Sequence, residues 1–140
     1  MKASRCVPRG CGLGLMLGLS VLLVGCATQP SSRAQPAYQL SDLEGTWSWT
    51  QDPWHGDFVL RTDGDSCTGT LDDVYEGTHG DKITDVTISG DHVKLTRNGQ
   101  FGIQQWEGTL KKEHGALKIV DGKWTKGGGL SGAFHAEKKK

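Results

Sequence analysis

Cysteine is scarce after the start of this chain. Three of the four cysteines, Cys6, Cys11 and Cys26, lie within the first 26 residues, and Cys67 is alone in the remainder. A disulfide within residues 27–140 is therefore excluded. A lone thiol in such a domain is more often buried and inert than reactive, and we expect this of Cys67.

Basic charge is also not in excess after residue 25. Lys2, Arg5 and Arg9 are three of the 16 basic residues, so the rest of the chain has 13 basic against 16 acidic side chains, a charge of 13 − 16 = −3. The balance gives no indication of nucleic-acid binding. Helical periodicity is missing as well, because no run of apolar residues from Gly45 onward recurs at helical spacing.

The motifs of common enzymes and metal sites are absent from the sequence. It has no Gly-x-Ser-x-Gly elbow, and no two of its five histidines have the close spacing of a zinc site. Asp63-Gly64-Asp65 resembles the start of a calcium loop, but Val74 stands where that loop requires glutamate. We therefore expect no catalytic residues, no metal and no cofactor, and we predict a non-enzymatic protein.

Two short charged stretches have ordinary interpretations. Asp72, Asp73 and Glu76 form an acidic cluster, which we interpret as a solvated loop rather than a weak cation site. Lys138-Lys139-Lys140 is interpreted as a soluble tail, with anionic headgroups or lipopolysaccharide as the alternative contact.

The first 26 residues have the pattern of an export signal. Three basic residues precede an uncharged apolar run, residues 11–25, which ends in Leu23-Val24-Gly25-Cys26. A transmembrane helix usually needs about 20 apolar residues. The run is shorter and closes on small residues, so cleavage is favoured over spanning, with an ordinary signal peptide or a membrane helix as the alternatives.

Leu23-Val24-Gly25-Cys26 resembles the lipobox of bacterial lipoproteins. The resemblance implies cleavage between Gly25 and Cys26, diacylglycerol on the Cys26 thiol, and attachment to a membrane through that lipid. In that family a residue other than aspartate after the cysteine usually directs the protein to the outer membrane, and Ala27 stands there. We expect a lipid-anchored protein of the bacterial envelope that faces the periplasm.

Three segments follow from these patterns. Residues 1–25 are the signal peptide, residues 26–40 are the lipidated cysteine and a polar tether rich in Ser, Pro and Gln, and residues 41–140 are one folded domain. The tether would let the domain stand off the membrane.

Short alternating runs separated by turn residues predict an all-β domain. We place strands near 45–51, 56–62, 66–72, 82–89, 92–98, 100–111, 115–121 and 130–137. Tight hairpins join sequence neighbours, as at Gly90-Asp91 and Asn98-Gly99, which predicts an antiparallel up-and-down meander. Closure into a small barrel of about eight strands would remove both exposed edges, and an open barrel-like sheet is the alternative. The opposite parities of Ile103 and Trp106 predict a bulge near Gln104 or Gln105.

Gly45-Thr46-Trp47, at the start of the first strand, resembles the Gly-x-Trp signature of the lipocalin and calycin superfamily. The resemblance implies a barrel whose Trp47 closes the base, with a basic residue from the end of the last strand over it. Lys138 is the first candidate and Lys126 the second. Avidin-type barrels open similarly, and Trp106 and Trp124 could act as their stacking walls, but Ser48-Trp49-Thr50 lacks their polar cluster.

The remaining large side chains divide between a core and a rim. Trp47 and Trp106 are expected to plug the barrel, whereas Asp52-Pro53-Trp54-His55-Gly56 is interpreted as a turn. An aromatic residue at a turn is less easily explained as core, so Trp54 and His55 are predicted to mark an open rim for a ligand or partner. The predicted core is Trp47, Phe58, Leu60, Ile88, Leu95, Ile103, Trp106, Ile119 and Phe134.

Two functions remain open. The first is a lipid-anchored barrel that binds a small apolar ligand or a glycan in its mouth. The second is a structural or interaction protein of the envelope, with a filled core and another envelope protein as its partner. The interior of an eight-stranded barrel is just wide enough for side chains or one small ligand, so an internal cavity would favour binding.

Overall fold

Residues 37–140, the part of the chain that the computed structural model describes, form one short helix followed by eight antiparallel strands. The predictions that concern residues 1–36 lie outside the described residues; they include the signal peptide, Gly25, Cys26 and most of the tether. The elements are α1 (Leu40–Leu43), β1 (Gly45–Gln51), β2 (Trp54–Asp63), β3 (Ser66–Asp73), β4 (Thr78–Ser89), β5 (His92–Gly99), β6 (Gly102–Glu113), β7 (Ala116–Lys126) and β8 (Leu130–Lys138).

The strands close into a barrel in which each pairs with its neighbours in sequence. Closure is made by β1 and β8, where Trp47 lies opposite Lys138 and Thr50 opposite His135. Every strand therefore has two hydrogen-bonded neighbours, and no edge is left over most of the sheet. The predicted all-β, up-and-down antiparallel barrel is confirmed. Within residues 37–140 there is no helix with the length and apolarity to cross a bilayer.

The barrel has two different ends, which we call the base and the mouth. The base carries α1 and the turns after β2, β4 and β6, whereas the mouth carries the turns after β1, β3, β5 and β7. At the base, Trp47 Nε1 donates to the Leu43 carbonyl at 2.8 Å, and Lys138 Nζ donates to the Asp42 carbonyl at 2.8 Å. These two bonds attach α1 to the first and last strands.

The first hairpin is tighter than predicted. Trp54 and His55 belong to β2 and pair with Gln51 and Thr50, so the turn consists of Asp52 and Pro53 alone. The interpretation of residues 52–56 as one turn was wrong, because pairing with β1 continues up to the two-residue connection.

The predicted bulge near Gln104 or Gln105 was also wrong. Both residues pair in regular register with β5. Gln104 shares the inward parity of Trp106, while Ile103 points outward and is 57% exposed. An outward Ile103 removes the parity conflict that suggested the bulge, and it also removes Ile103 from the core.

Bulges instead occur on β4 and β7. Between the pairs Leu71–Asp81 and Asp73–Thr78, β4 has one residue more than β3. A second extra residue lies on β4 between Thr84 and Thr87, and a third lies on β7 between Ile119 and Gly122. Each of these stretches contains a residue with positive φ: Gly80 at 75°, Asp85 at 52° and Asp121 at 52°. An extra residue increases local twist and bends the strand, which helps a sheet close.

Aromatic rings fill the interior of the barrel from the base towards the mouth. Trp47 stacks on Phe58 with ring centroids 5.6 Å apart, and Trp106 contacts Phe134 at 4.4 Å and Trp49 at 5.3 Å. Of the predicted core, seven residues are buried and Ile88 is partly buried. The seven buried residues are Trp47, Phe58, Leu60, Leu95, Trp106, Ile119 and Phe134.

Candidate functional site

The mouth half of the barrel keeps a cavity of about 200 Å³. Its lining combines apolar and aromatic side chains with charged and amide groups from almost every strand. The lining residues are Trp49, Gln51, Trp54, Asp73, Glu76, Arg97, Phe101, Gln104, Trp124, Lys126 and Leu130. Binding pockets for drug-sized ligands usually occupy about 300–1,000 Å³, so this cavity suits something smaller.

A buried ionic cluster contributes two of the polar residues of the cavity wall, Arg97 and Asp73. Arg97 Nε donates to Asp81 Oδ2 at 2.9 Å, and Arg97 Nη2 lies 2.7 Å from the same oxygen and 3.4 Å from Asp73 Oδ2. Arg97 is 5% exposed, Asp81 is 7% exposed and Asp73 is 1% exposed. Two carboxylates and one guanidinium give this cluster a formal charge of 1 − 2 = −1.

Strand register brings the three charges together. Leu71 lies opposite Asp81, Asp73 opposite Thr78, and Ile83 opposite Arg97, so all of these side chains face inward. Gly99, further along β5, supplies the space for one carboxylate, because a methyl group there would overlap Asp81.

The guanidinium also has an aromatic neighbour and one uncommitted nitrogen. Arg97 Cζ lies 5.7 Å from the centroid of the Trp49 ring, within the range of a cation–π contact. Its hydrogen bonds use Nε and Nη2, so Nη1 has no partner among residues 37–140. Since Arg97 lines the cavity, Nη1 is a donor available to a ligand.

Amide, amine and carboxylate groups surround this donor. Gln104 Oε1 accepts from Trp106 Nε1 at 2.9 Å, which fixes the orientation of the Gln104 amide. Glu76 Oε1 accepts from Trp54 Nε1 at 3.2 Å. Lys126 makes no ion pair within the described residues and adds a second cation to the lining.

Trp124 forms one side wall and depends on a glycine. It lies opposite Trp106 on β6 and Gly132 on β8. The indole packs over Gly132 so closely that a methyl group there would come within 2.6 Å of Trp124 Nε1. This nitrogen is buried without a hydrogen-bond partner among residues 37–140. The indole is therefore held by packing alone, and it lines both the cavity and the outer groove beside β8.

The two predicted rim residues lie at the mouth in different surroundings. Trp54 is half-buried, lines the cavity and packs edge-on against Tyr75 with centroids 5.7 Å apart. His55 is exposed, and its Nδ1 lies 3.1 Å from the Pro53 carbonyl. His55 lines an outer groove between the first hairpin and β8, not the cavity.

The remaining predicted positions separate between the two ends. Gly45 and Trp47 lie at the base, where the stem of Lys138 passes close to Gly45. Lys126, the second candidate for that role, lies at the mouth. The acidic cluster divides, because Asp73 is buried in the ionic cluster whereas Asp72 is exposed. Within residues 37–140 no group of three or more His, Cys, Asp or Glu is arranged to hold a metal.

The ionic cluster was not predicted from the sequence, although one signal for it was present. Arg97 shares the parity of Val93 and Leu95, so a charge was placed among apolar inward residues. Asp73 and Asp81 stand in the same way beside Leu71 and Ile83. A charged residue at an inward-facing strand position predicts an oppositely charged or hydrogen-bonding partner inside the barrel.

Comparison with known proteins adds no relative. The chain matches no protein-family model, no curated protein and no solved structure. Any function must therefore be argued from the barrel and its mouth cavity.

Proposed function

We propose that this protein is a lipid-anchored protein of the bacterial envelope whose barrel binds a small polyhydroxylated ligand, such as a single sugar ring, in the mouth cavity. The observation that carries the proposal is the composition of that cavity, where hydrogen-bonding side chains and aromatic rings share about 200 Å³. The anchor is proposed from the sequence, in which Leu23-Val24-Gly25-Cys26 follows a basic and then an apolar segment.

The cavity suits a glycan better than a purely apolar molecule. Arg97, Gln104, Lys126, Glu76 and Asp73 all contribute polar groups to its lining. A ligand without hydrogen-bonding groups would remove water from these side chains, at a cost of about 1–3 kcal/mol for each donor or acceptor left unsatisfied. Hydroxyl groups both donate and accept, so a polyol can satisfy cations, carboxylates and amides together.

The aromatic walls supply the second half of sugar recognition. Trp54 and Trp124 line the same cavity as these polar groups. The apolar face of a sugar ring can pack on an indole while its hydroxyls reach the neighbouring polar side chains. This combination favours a glycan over a small apolar ligand, the two ligand classes that the sequence left open.

A structural or interaction protein is the second candidate, and the filled base half of the barrel favours it. Trp47, Trp106 and Phe134 are each at most 1% exposed, so the lower interior is occupied by the protein's own side chains. On this alternative, the cavity is only the solvated upper end of a packed core, and the outer surface contacts another envelope protein.

Ligand titration followed by NMR separates the two candidates. The lipidated chain in nanodiscs is labelled with ¹⁵N, and its five tryptophan Nε1–H signals are assigned by Trp→Phe substitution. Methyl glycosides of glucose, galactose, mannose and N-acetylglucosamine are the probes. We expect at least one to shift the Trp54 and Trp124 signals while Trp47 at the base stays unchanged.

Matched lysine variants test whether the response comes from the cavity. Lys126→Met should weaken binding by about tenfold, since a hydrogen bond to a charged group contributes about 1.5–3 kcal/mol. Lys123→Met is the control, because Lys123 is exposed on the outer face of the same strand. If no glycoside shifts the signals, and native mass spectrometry of the protein from its own cells finds no small molecule, the interaction role is preferred.

The anchor has its own experiment. Cells are grown with a radioactive fatty acid, and the protein is recovered by immunoprecipitation. Wild-type protein should carry the label and Cys26→Ala should not. An unlabelled wild type, or label retained by Cys26→Ala, contradicts the anchor without affecting the ligand proposal.

A further inference from the structure

Large exposed apolar side chains in residues 37–140 are concentrated at the mouth. Those more than two-fifths exposed are Val74, Tyr75, Phe101, Ile103 and Leu130. They belong to the turns after β3, β5 and β7 or to the adjoining strand ends, and half-buried Trp54 adds a large apolar residue beside the turn after β1. Every turn at the mouth is therefore bordered by at least one large apolar residue.

The base has the opposite character. Its turns are Gly64-Asp65, Gly90-Asp91 and His114-Gly115, which contain polar residues and glycine only. Scattered single apolar residues on a surface need no explanation, but a set confined to one end of a barrel does. The asymmetry points to a function for the mouth rather than to a general property of the surface.

Three of the mouth residues continue the cavity outward. Trp54, Phe101 and Leu130 line it, and the last two are 46% and 58% exposed, whereas Asp73 and Arg97 on the same lining are 1% and 5% exposed. The lining therefore has two buried charges, and its opening has two large apolar side chains beside exposed Glu76.

We infer that the ligand is a sugar joined to an apolar group, bound with the sugar inside the cavity and the apolar group across the rim formed by Trp54, Phe101 and Leu130. The inference rests on the proposed glycan-binding function and adds the chemical class of the ligand. A free sugar would leave this rim in water, whereas an apolar substituent would cover it. A cavity of about 200 Å³ also has little room for such a substituent beside a sugar ring.

The test compares glycosides that differ only in their substituent. The sugar that binds best as its methyl glycoside is supplied also as its phenyl glycoside, and both are titrated against the lipidated chain in nanodiscs. We expect the phenyl glycoside to bind about tenfold tighter, because covering even part of a ring removes tens of Å² of apolar surface from water. Benzyl alcohol, which has the ring but no sugar, should bind far more weakly than either.

Substitutions at the rim test where the additional affinity for the phenyl glycoside arises. Phe101→Ser and Leu130→Ser should each weaken binding of the phenyl glycoside severalfold more than binding of the methyl glycoside. Ile103→Ser is the matched control, since Ile103 is similarly exposed at the same end but does not line the cavity. Heat denaturation of each variant checks that the barrel stays folded.

The outcomes separate this inference from the proposed function. Equal affinity for the two glycosides overturns the inference and leaves sugar binding in place. Absence of binding by every glycoside overturns both. If the preference is present, nanodiscs doped with a monoglycosyl diacylglycerol distinguish the source of the ligand: shifts of the Trp54 signal without added soluble glycoside indicate a membrane glycolipid, and their absence indicates a soluble glycoside.

Discussion

Arg97 on β5 and Asp81 on β4 form a 2.7 Å ion pair inside the barrel, where both side chains are more than nine-tenths buried. Asp73 Oδ2 lies 3.4 Å from the same guanidinium nitrogen, Nη2. Isolated charges are costly to bury, so each member of this cluster depends on the others. The cluster links β3, β4 and β5 just below the opening of the cavity, and so it is expected to hold the wall of the site in place.

Removal of the guanidinium should therefore be strongly destabilising. Arg97→Met leaves two buried carboxylates without their cation, and we expect the free energy of unfolding to fall by about 3–5 kcal/mol. Urea denaturation followed by circular dichroism measures this change. Lys94→Met on the exposed face of β5 is the control and should change stability by about 0.5 kcal/mol or less. A loss below about 1 kcal/mol for Arg97→Met would show that the cluster is not a structural unit.

Gly99 should tolerate no side chain. A methyl group there overlaps the Asp81 carboxylate, which cannot move away without weakening its bond to Arg97. Gly99→Ala is expected to cost about 1–3 kcal/mol, the usual range for overpacking a filled interior. Gly127→Ala is the control, because nothing lies within 4 Å of the corresponding position. Equal melting temperatures for the two variants would contradict the close packing of Asp81 on Gly99.

The barrel could be predicted because its signals are local. Alternation of inward and outward residues needs only the chain itself, and two-residue turns such as Gly90-Asp91 indicate their hairpins directly. The bulges were harder, since a residue with positive φ such as Asp121 gives no clear sign in the sequence. One wrongly placed bulge near Gln104 was enough to turn Ile103 from an outward residue into a core residue.

The cavity could be predicted only in outline. Trp54 was placed at the mouth because a large aromatic residue stands beside a proline turn, which is again a local signal. The ionic cluster depends on register between strands, because Asp73 and Arg97 are 24 positions apart and meet only when β3, β4 and β5 are aligned. A sequence shows that a charge lies on a buried parity, but it does not show which partner faces it.

Cys67 should be unreactive in the folded protein. The thiol is 3% exposed, and burial raises its pKa above the usual 9.0, with a smaller contribution from the negative charge of Glu44. Less thiolate is therefore present at any given pH, and the thiolate is the nucleophile. We expect the Cys67 thiol to react slowly with Ellman's reagent in the native protein at pH 8 and completely in 6 M guanidinium chloride. Cys67→Ala supplies the blank, and rapid labelling of native protein would contradict burial.

The raised pKa of Cys67 also predicts how the stability of the protein changes at alkaline pH. The unfolded chain releases the Cys67 proton near its usual pKa of 9.0, while the folded protein holds it to higher pH. Folded protein therefore binds more protons in this range, and the contribution of this group to stability is present below pH 9 and decreases as pH rises beyond it. Cys67→Ala should show a smaller loss of stability between pH 8 and pH 10 than wild type in parallel urea titrations.

Trp54 and Trp106 should respond very differently to truncation, although both lie on inward positions. Trp106 is 1% exposed and packs between Trp49 and Phe134, so Trp106→Ala should lower the free energy of unfolding by about 3–5 kcal/mol. Trp54 is half-buried at the opening, and its ring contacts exposed Tyr75 and bonds to Glu76, so Trp54→Ala should cost about 1–2 kcal/mol and leave the barrel folded. Chemical denaturation measures both values, and the Trp54 variant should in addition lose glycoside binding. If Trp54→Ala unfolds the protein as readily as Trp106→Ala, then Trp54 is part of the core, and its place in the rim has to be given up.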